Sequence, residues 1–280
     1  MKKFIVAFDG LRFSQSAANY AVELAKENSA HLVGIFLDDP MRHNYNVYDL
    51  ILEEGDIATR HRVLEQADIN KRKEASMKFE KSCQAAGLNY TIHHDKNKAI
   101  AELIHETVYA DLLIIYNGET ISSHREKLPG QFVRQLLGQV QCPVLLVPFK
   151  FKPITKLVLL YDGEPSSVFA IKMLSYTLAY LKQKPTEIIS VRAVDDTSHV
   201  PDNTLMKEFT KRHFPNANYT VLKGIPEHEI VNYLKQQKIN PLIVLGAYRR
   251  GVVSRLFRAS MADLLMREFK LPLFIAHTRV

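Results

Sequence analysis

The sequence is poor in the features that usually give a function away. Its 280 residues hold two cysteines, Cys83 and Cys142, which excludes a disulfide framework or a cysteine-only metal centre and fits a reducing cytoplasm. No apolar run approaches the roughly 20 residues that a membrane-spanning helix needs. The opening MKKFIVAFDGLRFS has two lysines and a short apolar run. That run meets Asp9-Gly10 instead of a small-residue cleavage pattern, so residues 3–8 are expected to form a first strand.

Catalytic and metal patterns are equally scarce. His43, His61, His93, His94, His105 and His124 form no His-x-x-x-His on a clear helix face, nor does any join a cysteine at ligand spacing. His93 and His94 are adjacent in a strand pattern, which sends their side chains to opposite faces. Gly-x-Ser-x-Gly, Ser-Gly-Gly-x-Asp-Ser and His-x-Gly-His are all missing. Cys83 lies in a helical pattern and Cys142 enters an apolar strand, and neither has the basic neighbours of a reactive thiolate. No metal and no catalytic residue are expected.

What is present is a soluble composition, 46% hydrophobic and 24% charged, with a formal charge of +7. The lysines and arginines are scattered, without an aromatic-interleaved basic stripe. The charge therefore reads as a solvated surface, with neither membrane nor specific nucleic acid as partner.

The organising feature is an internal repeat. KKFIVAFDGLRFSQSAANYAVELAKENSAHLVGIFLDD (2–39) matches TKLVLLYDGEPSSVFAIKMLSYTLAYLKQKPTEIISVRAVDD (155–196). NYTIHHDKNKAIAELIHETVYADLLIIYNG (89–118) matches NYTVLKGIPEHEIVNYLKQQKINPLIVLGA (218–247), and GQFVRQLLGQVQCPVLLVP (130–148) matches ASMADLLMREFKLPLFIAH (259–277). Two copies of one fold are expected, over 1–150 and 151–280, joined near PFKFKPIT (148–155).

Within each copy, near-continuous apolar runs alternate with helical-period stretches, which predicts two doubly wound α/β domains with parallel sheets. In SQSAANYAVELAKE, Ala17, Ala18, Ala21, Val22 and Leu24 share a face and Ser14 is placed to cap. The first copy alone carries a charged helix from about Ala58 and an insert at 40–56 with Tyr45, Tyr48, Leu50, Ile51 and Leu52. That insert either covers a pocket or partner surface, or packs on its own domain.

This arrangement resembles the universal stress protein family in its tandem form. The resemblance rests on the strand–Asp-Gly-x-x-x-Ser opening, on GIPEHEI (224–230), and on the closing Cys-Pro and Leu-Pro strands at 142–147 and 271–276. It implies five-stranded parallel α/β domains that pair through their last strands, here within one chain, with a further homodimer open. In the nucleotide-binding branch, the fourth strand leads into Gly-x-x-Gly, nine residues, then Gly-Ser or Gly-Thr. Small residues let phosphates reach backbone N–H groups at a helix start.

Carried onto the second copy, that motif falls on Gly246, Arg249, Ala259 and Ser260. Arg249 stands where a glycine belongs, so it either obstructs the cradle or grips phosphate bidentately. Gly251, two positions on, does not substitute without shifting the loop. In the first copy the positions are Asn117, Thr120, Gly130 and Gln131, and Glu119 and Glu126 would repel a phosphate. The family's ribose contact falls on Asp162, followed by Gly163, and its adenine-reading backbone near Val194. In the first copy these are Asp9 and about Leu37, where Asp9-Gly10 is also ordinary turn chemistry. The resemblance thus implies a non-catalytic stress-response protein whose second domain takes ATP or AMP. The alternative is a nucleotide-independent scaffold for a protein partner. Slow ATP hydrolysis is a third reading, for which no base or metal ligands are visible.

Overall fold

A computed structural model describes residues 1–37, 57–95, 99–120, 126–196, 198–237, 240–246 and 261–276. Arg249, Ala259, Ser260 and the insert at 40–56 lie outside the described residues.

The first half runs β1 (Lys3–Asp9), α1 (Gln15–Glu27), β2 (His31–Leu37), α2 (Ile57–Ala85), β3 (Tyr90–Asp95), α3 (Ala99–Thr107), β4 (Leu112–Tyr116), α4 (Gln131–Leu137) and β5 (Val144–Val147). The second half runs β6 (Lys156–Leu160), α5 (Pro165–Thr177), a 3-10 turn (Ala179–Gln183), β7 (Thr186–Arg192), α6 (Asn203–His213), β8 (Ala217–Lys223), α7 (Pro226–Lys235), β9 (Pro241–Leu245), α8 (Met261–Glu268) and β10 (Leu273–Ile275). The repeat read from sequence is therefore a repeat of structure. α2 begins close to the residue expected, and Ser14 caps α1 by accepting the Ala17 N–H at 3.2 Å.

All ten strands form one sheet in the order β3-β2-β1-β4-β5-β10-β9-β6-β7-β8. Every pairing is parallel except β5 with β10, where Leu145 faces Phe274 across an antiparallel seam. The halves mirror one another about that seam. Because the strands are apolar on both faces, each side needs a cover. Phe4, Val6 and Phe8 point to the face under α1, α2, α5 and α6, while Ile5 and Ala7 point to the face under α3, α4, α7 and α8.

Polar contacts fix the two halves together. Lys2 Nζ donates to the carbonyls of Tyr176 and Thr177 at 2.7 Å each, capping the C-terminus of α5 with a cation. The connection near 148–155 lies across the join: Tyr20 Oη donates to the Lys152 carbonyl at 2.7 Å, Asn240 Nδ2 donates to it at 3.2 Å, and Phe151 packs edge-on against Tyr20.

Equivalent, partly buried lysines at the starts of β1 and β6 pair with carboxylates from different elements. Lys3 pairs at 3.0 Å with Glu106 of α3, which His93 also meets at 2.7 Å. Lys156 pairs at 2.6 Å with Glu187 of β7, which accepts from Thr220 and Tyr233 as well. His94, on the other face, stacks on Phe36, so the two histidines do point apart. Both cysteines are buried, and burial foremost pushes each thiol up to about 12, which suits packing rather than reactivity.

Candidate functional site

In an open α/β sheet, ligands bind beyond the carboxyl ends of the strands where successive helices leave for opposite faces. Here those points lie between β1 and β4 and between β6 and β9, since α1 and α5 cover one face and α4 and α8 the other. The sequence-derived residues that are described lie at these two places.

At the first, Asp9 is 3% exposed and its Oδ1 accepts the Leu11 N–H at 2.9 Å. The Leu37 carbonyl, at the adenine-reading position, already accepts the Gly10 N–H at 3.1 Å. At the start of α4, Glu126 draws the remaining motif positions around itself. Its carboxylate accepts the Gln131 N–H at 2.5 Å and the Thr120 hydroxyl at 3.2 Å, and a Cβ on Gly130 would stand 3.0 Å from Oε2. The carboxylate thus takes up the start of α4, among the motif positions Thr120, Gly130 and Gln131. Asn117 is buried, its N–H donating to the Val147 carbonyl.

Beside Glu126 lies a crevice of about 850 Å³, walled by Phe13, Tyr116 and Phe149 and by the buried Glu119. Sequence reasoning singled out neither Tyr116 nor Phe149. Tyr116 closes the apolar run of β4, which reads as core, and Phe149 falls in the stretch read as a linker.

The second place differs. Asp162 is exposed, with Oδ1 accepting the Glu164 N–H at 3.0 Å in an Asx turn. Gly163 has φ +88°, and a Cβ there would stand 2.8 Å from Pro201. Gly246 lies beyond the end of β9 on one side of β6, and Val194, 72% exposed, lies in the turn beyond β7 on the other. Asp162, Gly163, Val194 and Gly246 therefore sit along the carboxyl ends of three adjoining strands; Arg249, Ala259 and Ser260 lie outside the described residues.

The two turns differ in length. α1 starts at Gln15 after Asp9, whereas α5 starts at Pro165 almost directly after Asp162, with proline in its first turn. The early start brings the α5 backbone onto Gly246: a Cβ there would stand 2.4 Å from the Ser166 carbonyl carbon and 2.7 Å from the Ser167 nitrogen. Gly246 thus has a packing reason to be glycine, independent of any ligand.

Residues 1–148 match the model of the universal stress protein family. The chain belongs to that family. Universal stress protein Slr1230 of Synechocystis is 23% identical over 288 residues, spanning 97% of this chain and 98% of its own. Among solved structures, a universal stress protein from Archaeoglobus fulgidus superposes with a TM-score of 0.69 at 14% identity, covering 98% of both chains. PA1789 from Pseudomonas aeruginosa, described as functionally unknown, superposes at 0.60 and 14% identity over 98% of this chain and 92% of its own. These relatives share the tandem length and the fold. Among the described residues no helix is long and apolar enough to cross a membrane, and no group of three His, Cys, Asp or Glu side chains could hold a metal.

Proposed function

We propose that this member of the universal stress protein family is a non-catalytic, cytoplasmic tandem protein with domains at 1–150 and 151–280, and that its second domain takes ATP or AMP as a regulatory ligand. The observation that carries the reading is the contrast between the two strand-end turns. Asp9 is buried at the first, whereas its counterpart Asp162 stands exposed at the second. In the second domain, Asp162 would hold the ribose, the turn at Gly163 would leave room beside it, and the backbone at Val194 would meet adenine. Gly246, Ala259 and Ser260 would line the phosphates, with Arg249 adding charge.

Calorimetric titration of ATP and AMP into the intact chain tests this. Binding with unit stoichiometry, lost in Asp162→Ala and kept in Glu126→Gln, is the expected result. Weaker binding in Arg249→Gly would make that arginine a ligand. The second reading, a scaffold that docks a protein partner, is favoured by the close approach of Ser166 to Gly246, which sets the start of α5 against the end of β9. No binding by the wild type, or binding only after Arg249→Gly, would establish it over the first. Phosphate release from ATP is expected to stay at background; turnover abolished by Ser260→Ala would overturn the non-catalytic assignment.

A further inference from the structure

The halves share a frame but fill it differently on the face under α5 and α6. In the first half, Phe8 faces Phe36 across the β1–β2 ladder, with ring centroids 5.1 Å apart, and Phe13 and Phe79 close round it at 4.9 and 5.6 Å. Phe79 comes from the 29-residue α2 and packs so tightly on Gly34 that a Cβ there would stand 2.5 Å from its ring. In the second half, Tyr161 replaces Phe8. The residue beside it, one step beyond the Leu160–Ile189 pair, is Ser190. Ser190 is buried, and its hydroxyl has no hydrogen-bond partner among the described residues. The covering helix, α6, has only 11 residues.

The difference leaves a groove of about 460 Å³ between α5 and α6, walled by Tyr161, Val168, Phe169, Met206 and Phe209. Aromatic walls on both sides suit a flat ring. Two charged side chains also border this apolar groove. At one end stands Asp202, in the left-handed conformation (φ 44°, ψ 43°) and making no side-chain cap bond to α6. At the other stands Lys172, near enough to His213 to help burial depress its pKa. Burial raises the Tyr161 phenol, and the charges of Asp202 and Asp162 raise it further, so negative potential collects at the Asp202 end.

We infer that the groove between α5 and α6 binds a small aromatic amine, its ring between Phe169 and Phe209 and its ammonium at Asp202. The ring provides the buried area, and the ammonium converts a surface carboxylate into a charge-assisted partner beside an apolar wall. The groove lies on the opposite face of the sheet from α8, but Gly163 lines it too, so it adjoins the nucleotide site proposed above.

The chain has no tryptophan, so the fluorescence of an added indole is free of protein background when excited beyond the tyrosine band. Tryptamine, indole and indole-3-acetate carry one ring with a positive, absent or negative side group. Titrating each into the intact protein is expected to give tryptamine at least about tenfold tighter than indole-3-acetate, with indole between. Asp202→Asn, an amide that tolerates the same left-handed backbone, should bring tryptamine to the level of indole. Phe209→Ala should weaken all three about tenfold, with thermal unfolding checking that the variant is folded. No binding of any probe at millimolar concentration, equal binding of the amine and the acid, or an unchanged tryptamine preference in Asp202→Asn would each overturn the inference.

Discussion

Replacing Gly246 with alanine separates two reasons for a glycine at the end of a central strand. The added methyl would stand 2.4, 2.5 and 2.7 Å from the Ser166 carbonyl carbon, its oxygen and the Ser167 nitrogen, where ordinary contact is 3.4–4 Å. All three atoms are backbone in the first turn of α5, so no rotamer change relieves the clash. Either α5 retreats by about an ångström, or β9 loses register with β6; overpacking of this kind costs ~1–3 kcal/mol, and a rigid backbone neighbour places it at about 3. Urea unfolding of the ligand-free protein reads this directly. With a slope of about 3 kcal/mol per molar, the midpoint should fall by about 1 M at unchanged slope. Asn117, which the repeat aligns with Gly246, already carries a side chain because α1 starts later, so Asn117→Ala should not reproduce the loss through this clash. If Gly246→Ala unfolds within about 0.5 kcal/mol of wild type, the size expected of an unconstrained surface change, then α5 is not held against β9 as described. A ligand-binding reason would be the one left for the glycine.

Four further outcomes are expected. Glu187→Ala strands Lys156 in a largely buried position and removes the acceptor shared by Thr220 and Tyr233; it should cost about 3 kcal/mol in urea unfolding, while Lys156→Met with Glu187→Leu should recover most of it. Burial would raise the carboxyls of Glu106 and Glu187, but their hydrogen bonds, led by those from Lys3 and Lys156, outweigh it and hold both below the ordinary glutamate value. Their stabilisation is thus complete above the unfolded pKa of about 4.3 and is lost as pH falls through the lower folded values; the urea midpoint should hold near pH 6 and fall below about pH 4. Glu126→Gln keeps an acceptor for the Gln131 N–H but removes the charge at the start of α4, costing about 1 kcal/mol by differential scanning calorimetry. Tyr20→Phe removes the hydroxyl that holds the connection at Lys152 and should cost about 1 kcal/mol, with faster amide exchange along 150–154 as the second readout.

The frame of the molecule was open to sequence reasoning because it rests on period and repetition. Apolar runs such as FIVAF and LVLLY read as buried strands and their recurrence as two copies of one fold, while the pairing of the halves followed from the family resemblance. Ser14 was legible for the same reason, as a cap is a local act. The site was legible only as positions. That Glu126 turns inward onto Gln131 depends on a tertiary approach that no spacing encodes. Nor could sequence show why Gly246 is glycine, since the reason sits on α5, about 80 residues earlier, where the helix starts almost directly after Asp162. The groove between α5 and α6 escaped for a subtler reason. It follows from the absence of a ring at Ser190, and a serine in an otherwise apolar strand reads as a tolerated polar residue, not as a missing partner for Tyr161.

The antiparallel seam between β5 and β10 carries a consequence for inheritance. Two separate chains pairing this way would share one gene, so any residue placed in one crevice would be imposed on the other. Joined in one polypeptide, the halves mutate separately while the seam still demands that their shapes match. An aspartate can then be buried at one strand end while its counterpart stays exposed, and an aromatic cluster can be thinned on one side alone. The common sheet gives each half a template that keeps it folded while its surface diverges. Fusion has turned a symmetric object into one with a left and a right.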